Sequence, residues 1–354
     1  MSAPIRYGLI GTGMMGLEHQ RNIYGLPNGE VVAIADSHEE SRHWAQFTAD
    51  GRDLQTFADY RDLLAADICD IYVISTPNMT HRDVLVDVMK SGKAIVVEKP
   101  LCTTIADATE IRDLAREYPN LFWVGLEYRY MPPVARAIAL AHSGSIGDLK
   151  MLAIREHRHP FLVKVNNWNR FSENTGGTLV EKCCHFFDLM RLILRSNPVA
   201  VMASGGQDVN HLDESYDGRP SDILDNAFVI VEFESGARAS LDLSMFADTS
   251  REHEEVSIVG TTGKIEAFLP SGRLIRAERH SGVITEEVIA DTRVAVEGFH
   301  HGASYLEHLD IQTAWREGSR ALVTADDGWW SVVMGVAAHR SIDEKRRVEI
   351  AELI

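Results

Sequence analysis

The run Gly11-Thr12-Gly13-Met14-Met15-Gly16 follows directly on an apolar stretch, residues 7–10, and opens a segment of helical period. Strand, glycine turn and helix in that order leave few folds open. Glycines at the first two positions allow a tight turn and close approach of a pyrophosphate, the third lets the helix sit near the strand, and the helix amides face an anion. The next apolar strand, residues 31–35, ends at Asp36, where a carboxylate can accept from both ribose hydroxyls. Gly11, Thr12, Gly13, Met14, Met15, Gly16, Asp36 and Ser37 are therefore predicted to hold a dinucleotide. A carboxylate repels a 2′-phosphate, so NAD is the expected cofactor. NADP is the runner-up, with Arg42 further along as the cation to serve it.

The rest of the chain fits that beginning. Short, nearly continuous apolar runs at Ile5–Ile10, 31–35, 68–75, 94–97 and 121–125 alternate with helical patterns, as strands covered on both faces of a parallel sheet must. From about residue 149 the texture changes to longer alternating strands, such as Asn226–Phe233, 237–243 and 254–259, separated by glycine turns. The expected fold class is α/β: a doubly wound Rossmann domain over residues 1–125, then an α/β domain over 126–354 with an open antiparallel sheet. A last helix, 327–341, is expected to pack back on the body. With 354 residues, 45% of them hydrophobic, there is ample material for two cores.

Charge and cysteine usage exclude several partners. A formal charge of −17 repels phosphodiester backbones and anionic membrane surfaces, so nucleic acid is not an expected partner. No apolar stretch is long enough to cross a bilayer, and residues 1–6 carry no secretory pattern. The four cysteines, Cys69, Cys102, Cys183 and Cys184, do not read as a disulfide framework, so a cytoplasmic location with free thiols is expected. Successive helical residues project about 100° apart. Cys183, Cys184 and His185 therefore cannot readily chelate one tetrahedral ion, and no metal is expected.

Two further groups carry chemistry. Ser75-Thr76-Pro77-Asn78 with His81, and Glu98-Lys99-Pro100, fall at or just after carboxyl ends of the predicted parallel strands, the edge where open α/β sheets bind ligands. In Gly176-Gly177-Thr178-Leu179-Val180-Glu181-Lys182-Cys183-Cys184-His185-Phe186-Phe187-Asp188, a continuous helix would set Glu181, His185 and Asp188 on one stripe. A carboxylate and an imidazole so placed can act as an acid/base pair. The polar, aromatic-punctuated segment 155–169, with Arg158 and Trp168, and the cluster Phe299-His300-His301 with Tyr305 are candidate pocket walls.

Taken in order, these pieces, with Glu127-Tyr128-Arg129-Tyr130 and Val323-Thr324-Ala325-Asp326-Asp327-Gly328, resemble the Gfo/Idh/MocA (glucose-fructose oxidoreductase/inositol dehydrogenase) family over nearly the whole chain. The resemblance implies oxidation or reduction of a secondary alcohol of a sugar or cyclitol with a nicotinamide nucleotide. It implies His185 as general acid/base and Lys99 as the cation on the reacting oxygen. It places Ser75, Thr76, Pro77, Asn78, His81, Glu98, Lys99, Arg129 and Trp168 around the cofactor, and Lys99, Arg158, Trp168, Glu181, His185, His301 and Tyr305 around the substrate. Glu181 stands where the family usually has Asp, and is the third catalytic candidate. The open sheet implies a homo-oligomer, dimer or tetramer. Two alternatives keep the fold: redox-neutral glycoside cleavage or elimination through a transient keto sugar, and a nucleotide-binding sensor without turnover.

Overall fold

A computed structural model describes residues 3–354. Six strands, β1 (Ile5–Ile10), β2 (Gly29–Ala35), β3 (Gln55–Phe57), β4 (Ile71–Ile74), β5 (Ala94–Glu98) and β6 (Phe122–Gly125), form one parallel sheet in the order 3-2-1-4-5-6. Its helices are α1 (Met14–Gly25), α2 (Glu39–Ala49), α3 (Tyr60–Ala66), α4 (His81–Met89) and α5 (Ile105–Glu117). Every residue of β4 and β5 is buried, because the crossover helices of parallel strands cover both faces. The strand order reverses between β1 and β4, which opens a crevice at their carboxyl ends. β3 was not anticipated: three residues, none of them buried, carry too little apolar pattern to register.

The remaining elements begin with α6 (Pro132–His142), β7 (Leu149–His157), α7 (Ser172–Thr175), α8 (Thr178–Glu181), α9 (Cys184–Leu194) and β8 (Pro198–Gly206). A two-strand ribbon follows, β9 (Ser215–Tyr216) with β10 (Arg219–Pro220). Then come β11 (Asn226–Phe233), β12 (Arg238–Ser244), β13 (Glu254–Gly260), β14 (Gly263–Leu269), β15 (Arg273–Glu278) and β16 (Ile284–Val288). The chain ends with α10 (Ala303–Glu317), α11 (Ala325–Glu344) and β17 (Val348–Glu349). Nine of these strands make one sheet, ordered 16-15-14-13-7-12-11-8-17. It is mixed, not purely antiparallel: β7 and β12 run parallel. Along β11 and β12 buried and less buried residues alternate, the signature of a sheet with one covered face. Met151, Met202, Phe228 and Ile230 stand exposed on the other face, with Ile230 directly opposite Met202.

Two compact units emerge, and their boundary differs from a single cut at residue 125. The first unit is Met1–Glu127 with Lys164–Trp168 and Thr292–Trp329; the second is Tyr128–Val163, Asn169–Asp291 and Trp330–Ile354. Side-chain bonding explains the return of residues 292–329. Trp123 Nε1 of β6 donates to Glu307 of α10 at 2.9 Å, and His19 of α1 meets His308 of α10 at 2.9 Å. The boundary falls inside α11, so the last helix does not belong wholly to the second unit.

Candidate active site

In the first unit the dinucleotide loop has the geometry its glycines predict. Gly11 has φ +90°, and a Cβ there would lie 2.7 Å from the backbone of Ser75; at Gly16 it would lie 2.2 Å from the Gly11 carbonyl oxygen. These two glycines are demanded by the protein's own packing. Gly13 is different. A Cβ there meets nothing within 4 Å, and the residue is the N-cap of α1, whose first turn carries no acidic residue. The open space and the unpaired amides of a helix start suit a pyrophosphate. Ser75 Oγ donates to the Gly11 carbonyl at 2.7 Å and ties together the two strand ends at the crevice.

Asp36 directly follows β2, with its carboxylate held in place. Oδ2 accepts from the Thr12 amide at 2.7 Å and Oδ1 from the His38 amide at 2.8 Å. A carboxylate has about four acceptor sites, so capacity remains for ribose hydroxyls. Arg42 donates to the carbonyls of Asp36 and Ser37 at 2.7 and 3.1 Å. The residues present fit a bound nicotinamide dinucleotide.

At the ends of β4 and β5, His81 does not face a ligand. It is fully buried, with Nδ1 2.8 Å from the Pro100 carbonyl and Nε2 3.0 Å from the Thr76 carbonyl. Burial lowers its proton affinity against the pull of those carbonyls. His81 thus pins the Thr76-Pro77-Asn78 turn to the Lys99-Pro100 turn, whose connecting peptide is cis. Asn78 is itself buried and opens a short 3₁₀ turn.

A buried acid–histidine network surrounds the base of Lys99 and was not legible in the sequence. Glu98 Oε1 is 2.8 Å from His19 Nε2, and Glu98 Oε2 accepts the Lys99 amide at 3.1 Å. Burial alone would raise the Glu98 carboxyl, but the His19 bond and charge bring it down to about 2. Glu127 goes the other way: burial and the charges of Glu98 and Glu307 push it well above the usual carboxylate range. His300 lies 3.6 Å from Glu18 and 3.5 Å from Glu127.

In the second unit, Glu181, His185 and Asp188 do not share one continuous helix. Glu181 ends α8, His185 lies in the first turn of α9, and Lys182 and Cys183 intervene. The first turn of α9 is closed instead by Phe186 and Phe187 donating to the Cys183 carbonyl, each at 3.0 Å. Both Glu181 and His185 are buried. Arg129 donates through Nε to Asp188 Oδ2 at 2.6 Å and through a terminal nitrogen to Oδ1, a bidentate pair whose side chains are 10% and 2% exposed. This pair fixes the helix that carries His185.

The family model for the NAD-binding Rossmann fold of the Gfo/Idh/MocA oxidoreductases matches residues 5–126, and the model for their C-terminal alpha/beta domain matches residues 139–350. The chain belongs to the Gfo/Idh/MocA oxidoreductase family. Myo-inositol 2-dehydrogenase of Thermotoga maritima is 25% identical over 356 residues, 99% of this chain and 100% of that one. Inositol 2-dehydrogenase of Rhizobium meliloti is 27% identical over 353 residues, 98% of this chain and 99% of that one. Among solved structures, levoglucosan dehydrogenase in complex with NADH and levoglucosan superposes with a TM-score of 0.86 at 20% identity, covering 98% and 99% of the two chains. At that identity the likeness is one of fold.

Within this family fold, the remaining predicted residues fall in distinct settings. Trp168 sits in the 3₁₀ segment Val165–Arg170, with the Lys164 ammonium 4.7 Å from its ring centre. Arg158 reaches back to its own neighbourhood, donating to the His159 carbonyl at 3.2 Å and lying 3.6 Å from Glu156. His301 takes a left-handed backbone, φ 54°, just before α10. Tyr305 is buried, and its hydroxyl donates to the Gly25 carbonyl at the carboxyl end of α1. α1 has 12 residues, so that end is about 18 Å from the dinucleotide amides at 1.5 Å per residue. Tyr305 packs α10 on α1. The cysteines are all buried and free. Among the described residues, no helix is long and apolar enough to cross a membrane.

Proposed function

We propose that this oxidoreductase takes a hydride from a secondary alcohol of a polyol or sugar, of the inositol class, with NAD as its cofactor. The open cradle at Gly13, aimed at by the amides of α1, is the observation that carries the cofactor reading. The substrate class rests on the inositol dehydrogenases that align with the chain end to end. The Asp36 carboxylate, held at the end of β2 where a 2′-phosphate would be repelled, favours NAD over NADP.

Bound nicotinamide supplies the hydride acceptor. The chain's own residues must then handle the hydroxyl proton and the negative charge developing on oxygen. His185, an imidazole that titrates near neutrality when unperturbed, takes the proton. Lys99 is the cation for the oxygen, and its backbone is held through its own amide by the ionised Glu98. Glu181 binds a substrate hydroxyl. The exposed apolar stripe Met151, Met202, Phe228 and Ile230 supports a homo-oligomer formed by that sheet face.

The test is a panel of inositols, aldoses and glycosides assayed for reduced nucleotide, with NAD and NADP separately. Wild-type protein is expected to reduce NAD in stoichiometric amount, and His185→Ala and Lys99→Ala to lose at least about 100-fold in kcat/KM. Wild-type turnover in both variants would refute the assignment. Substrate consumption without accumulating NADH would favour the redox-neutral alternative.

A further inference from the structure

The unit that carries His185 also buries a cation that the reaction outlined above does not use. Lys182, between α8 and α9, is 4% exposed. Its ammonium lies 2.8 Å from Glu156 Oε1 on β7 and donates to the Tyr128 hydroxyl at 2.5 Å. The Tyr128 ring in turn lies flat on the His185 imidazole, with centroids 4.0 Å apart and planes 9° from parallel. Burying a lysine is costly unless it is paired and hydrogen-bonded. Here the carboxylate and the phenol oxygen together satisfy it, and the result is a rigid chain from strand β7 to the imidazole.

That chain has two consequences for His185. The stacked phenol fixes the plane of the imidazole. The ammonium is 4.8 Å from the centre of the Tyr128 ring. The Tyr128 ring touches both groups, so the cation is held one aromatic ring away from the imidazole, in a buried setting where charges couple more strongly than in water. Glu254, Arg158, Cys183 and His159 also face Lys182. One turn beyond His185, Asp188 is neutralised by Arg129.

We propose that Tyr128 and Lys182 are positioning residues for His185: the phenol ring holds the imidazole plane, and the Glu156-anchored ammonium opposes its protonation, keeping it a neutral base. The proposal deepens the reading of His185 as the proton acceptor and rests on it for its catalytic meaning. Its physical content is independent of any substrate.

The deciding experiment is an NMR titration of the His185 imidazole in the full chain carrying isotope-labelled histidine, assigned with His185→Asn. Lys182→Met removes the cation and leaves the Glu156 carboxylate, so the His185 titration is expected to move upward by about one pH unit. An unchanged or lowered midpoint would overturn the proposal. If Lys182→Met fails to fold, Lys182→Met with Glu156→Gln removes both charges at once. The imidazole resonances should then lose the ring-current shift of a fixed stack, and their retention would overturn the positioning role.

In turnover, Tyr128→Phe keeps the stack and is expected to stay within about 3-fold of wild-type kcat. Tyr128→Leu is expected to lose about 10- to 100-fold in kcat with little change in KM or NAD affinity. Equal turnover in the two variants would count against the stack. Should the wild-type protein fail to reduce NAD with every polyol tried, the proposed reaction falls, and the imidazole titration still decides the proposal.

Discussion

Gly13 and Gly16 sit three residues apart in one turn, yet different neighbours require them. A methyl at Gly16 would strike the Gly11 carbonyl at 2.2 Å, whereas one at Gly13 would meet nothing of the protein within 4 Å. Gly16→Ala should therefore lower the melting temperature by several degrees, a backbone clash being worth a few kcal/mol. Gly13→Ala should leave melting unchanged and weaken NAD about tenfold or more. Parallel thermal denaturation and NAD titration would check both, and a Gly13→Ala protein that binds NAD as wild type would show that the cradle is not the pyrophosphate site. Residue identity announced this loop because only glycine serves there. It could not announce His19, His308 or Glu127, whose roles depend on partners far along the chain.

At the scale of elements, the informative departure is the break between α8 and α9. A stripe of Glu181, His185 and Asp188 assumes unbroken helical spacing. Lys182 and Cys183 keep right-handed helical backbone angles, and the Lys182 amide still donates to the Thr178 carbonyl, while the Lys182 ammonium reaches Glu156 of β7 and Tyr128, two partners no helical wheel contains. Strand pairing then produces a second effect. Glu254 of β13 lies directly opposite Glu156 of β7, and burial together with the Glu156 charge raises the Glu254 carboxyl to about 7. The native state thus retains a proton that the unfolded chain gives up near the ordinary carboxylate value. Stability from this site is present below that value and lost as pH rises through about 7, by on the order of 1–3 kcal/mol. Calorimetry of wild type and Glu254→Gln from about pH 5 to pH 8 should show a falling melting temperature in the former and a flatter profile in the latter. Identical slopes would remove Glu254 as the cause.

For the whole molecule, the nine-stranded sheet keeps one face largely free of its own helices, and Met202, Phe228 and Ile230 lie on adjacent strands of that face. If a second copy covers this face, Phe228→Asp should shift the protein to a smaller species in analytical ultracentrifugation, because a buried unpaired carboxylate opposes association by several kcal/mol. A wild-type protein that sediments as a monomer would dispose of the idea. Local pattern alone carried the β-α-β alternation, the change to longer alternating strands, the dinucleotide loop and Asp36, since periodicity and glycine requirements are properties of neighbours in sequence. Only the tertiary structure could assign residues 292–329 to the nucleotide-binding unit, join Arg129 to Asp188, and turn His81 and Tyr305 inward. Each of those depends on a bond between residues distant in the chain, and the energy of burying such polar groups together has no trace in the order of the letters.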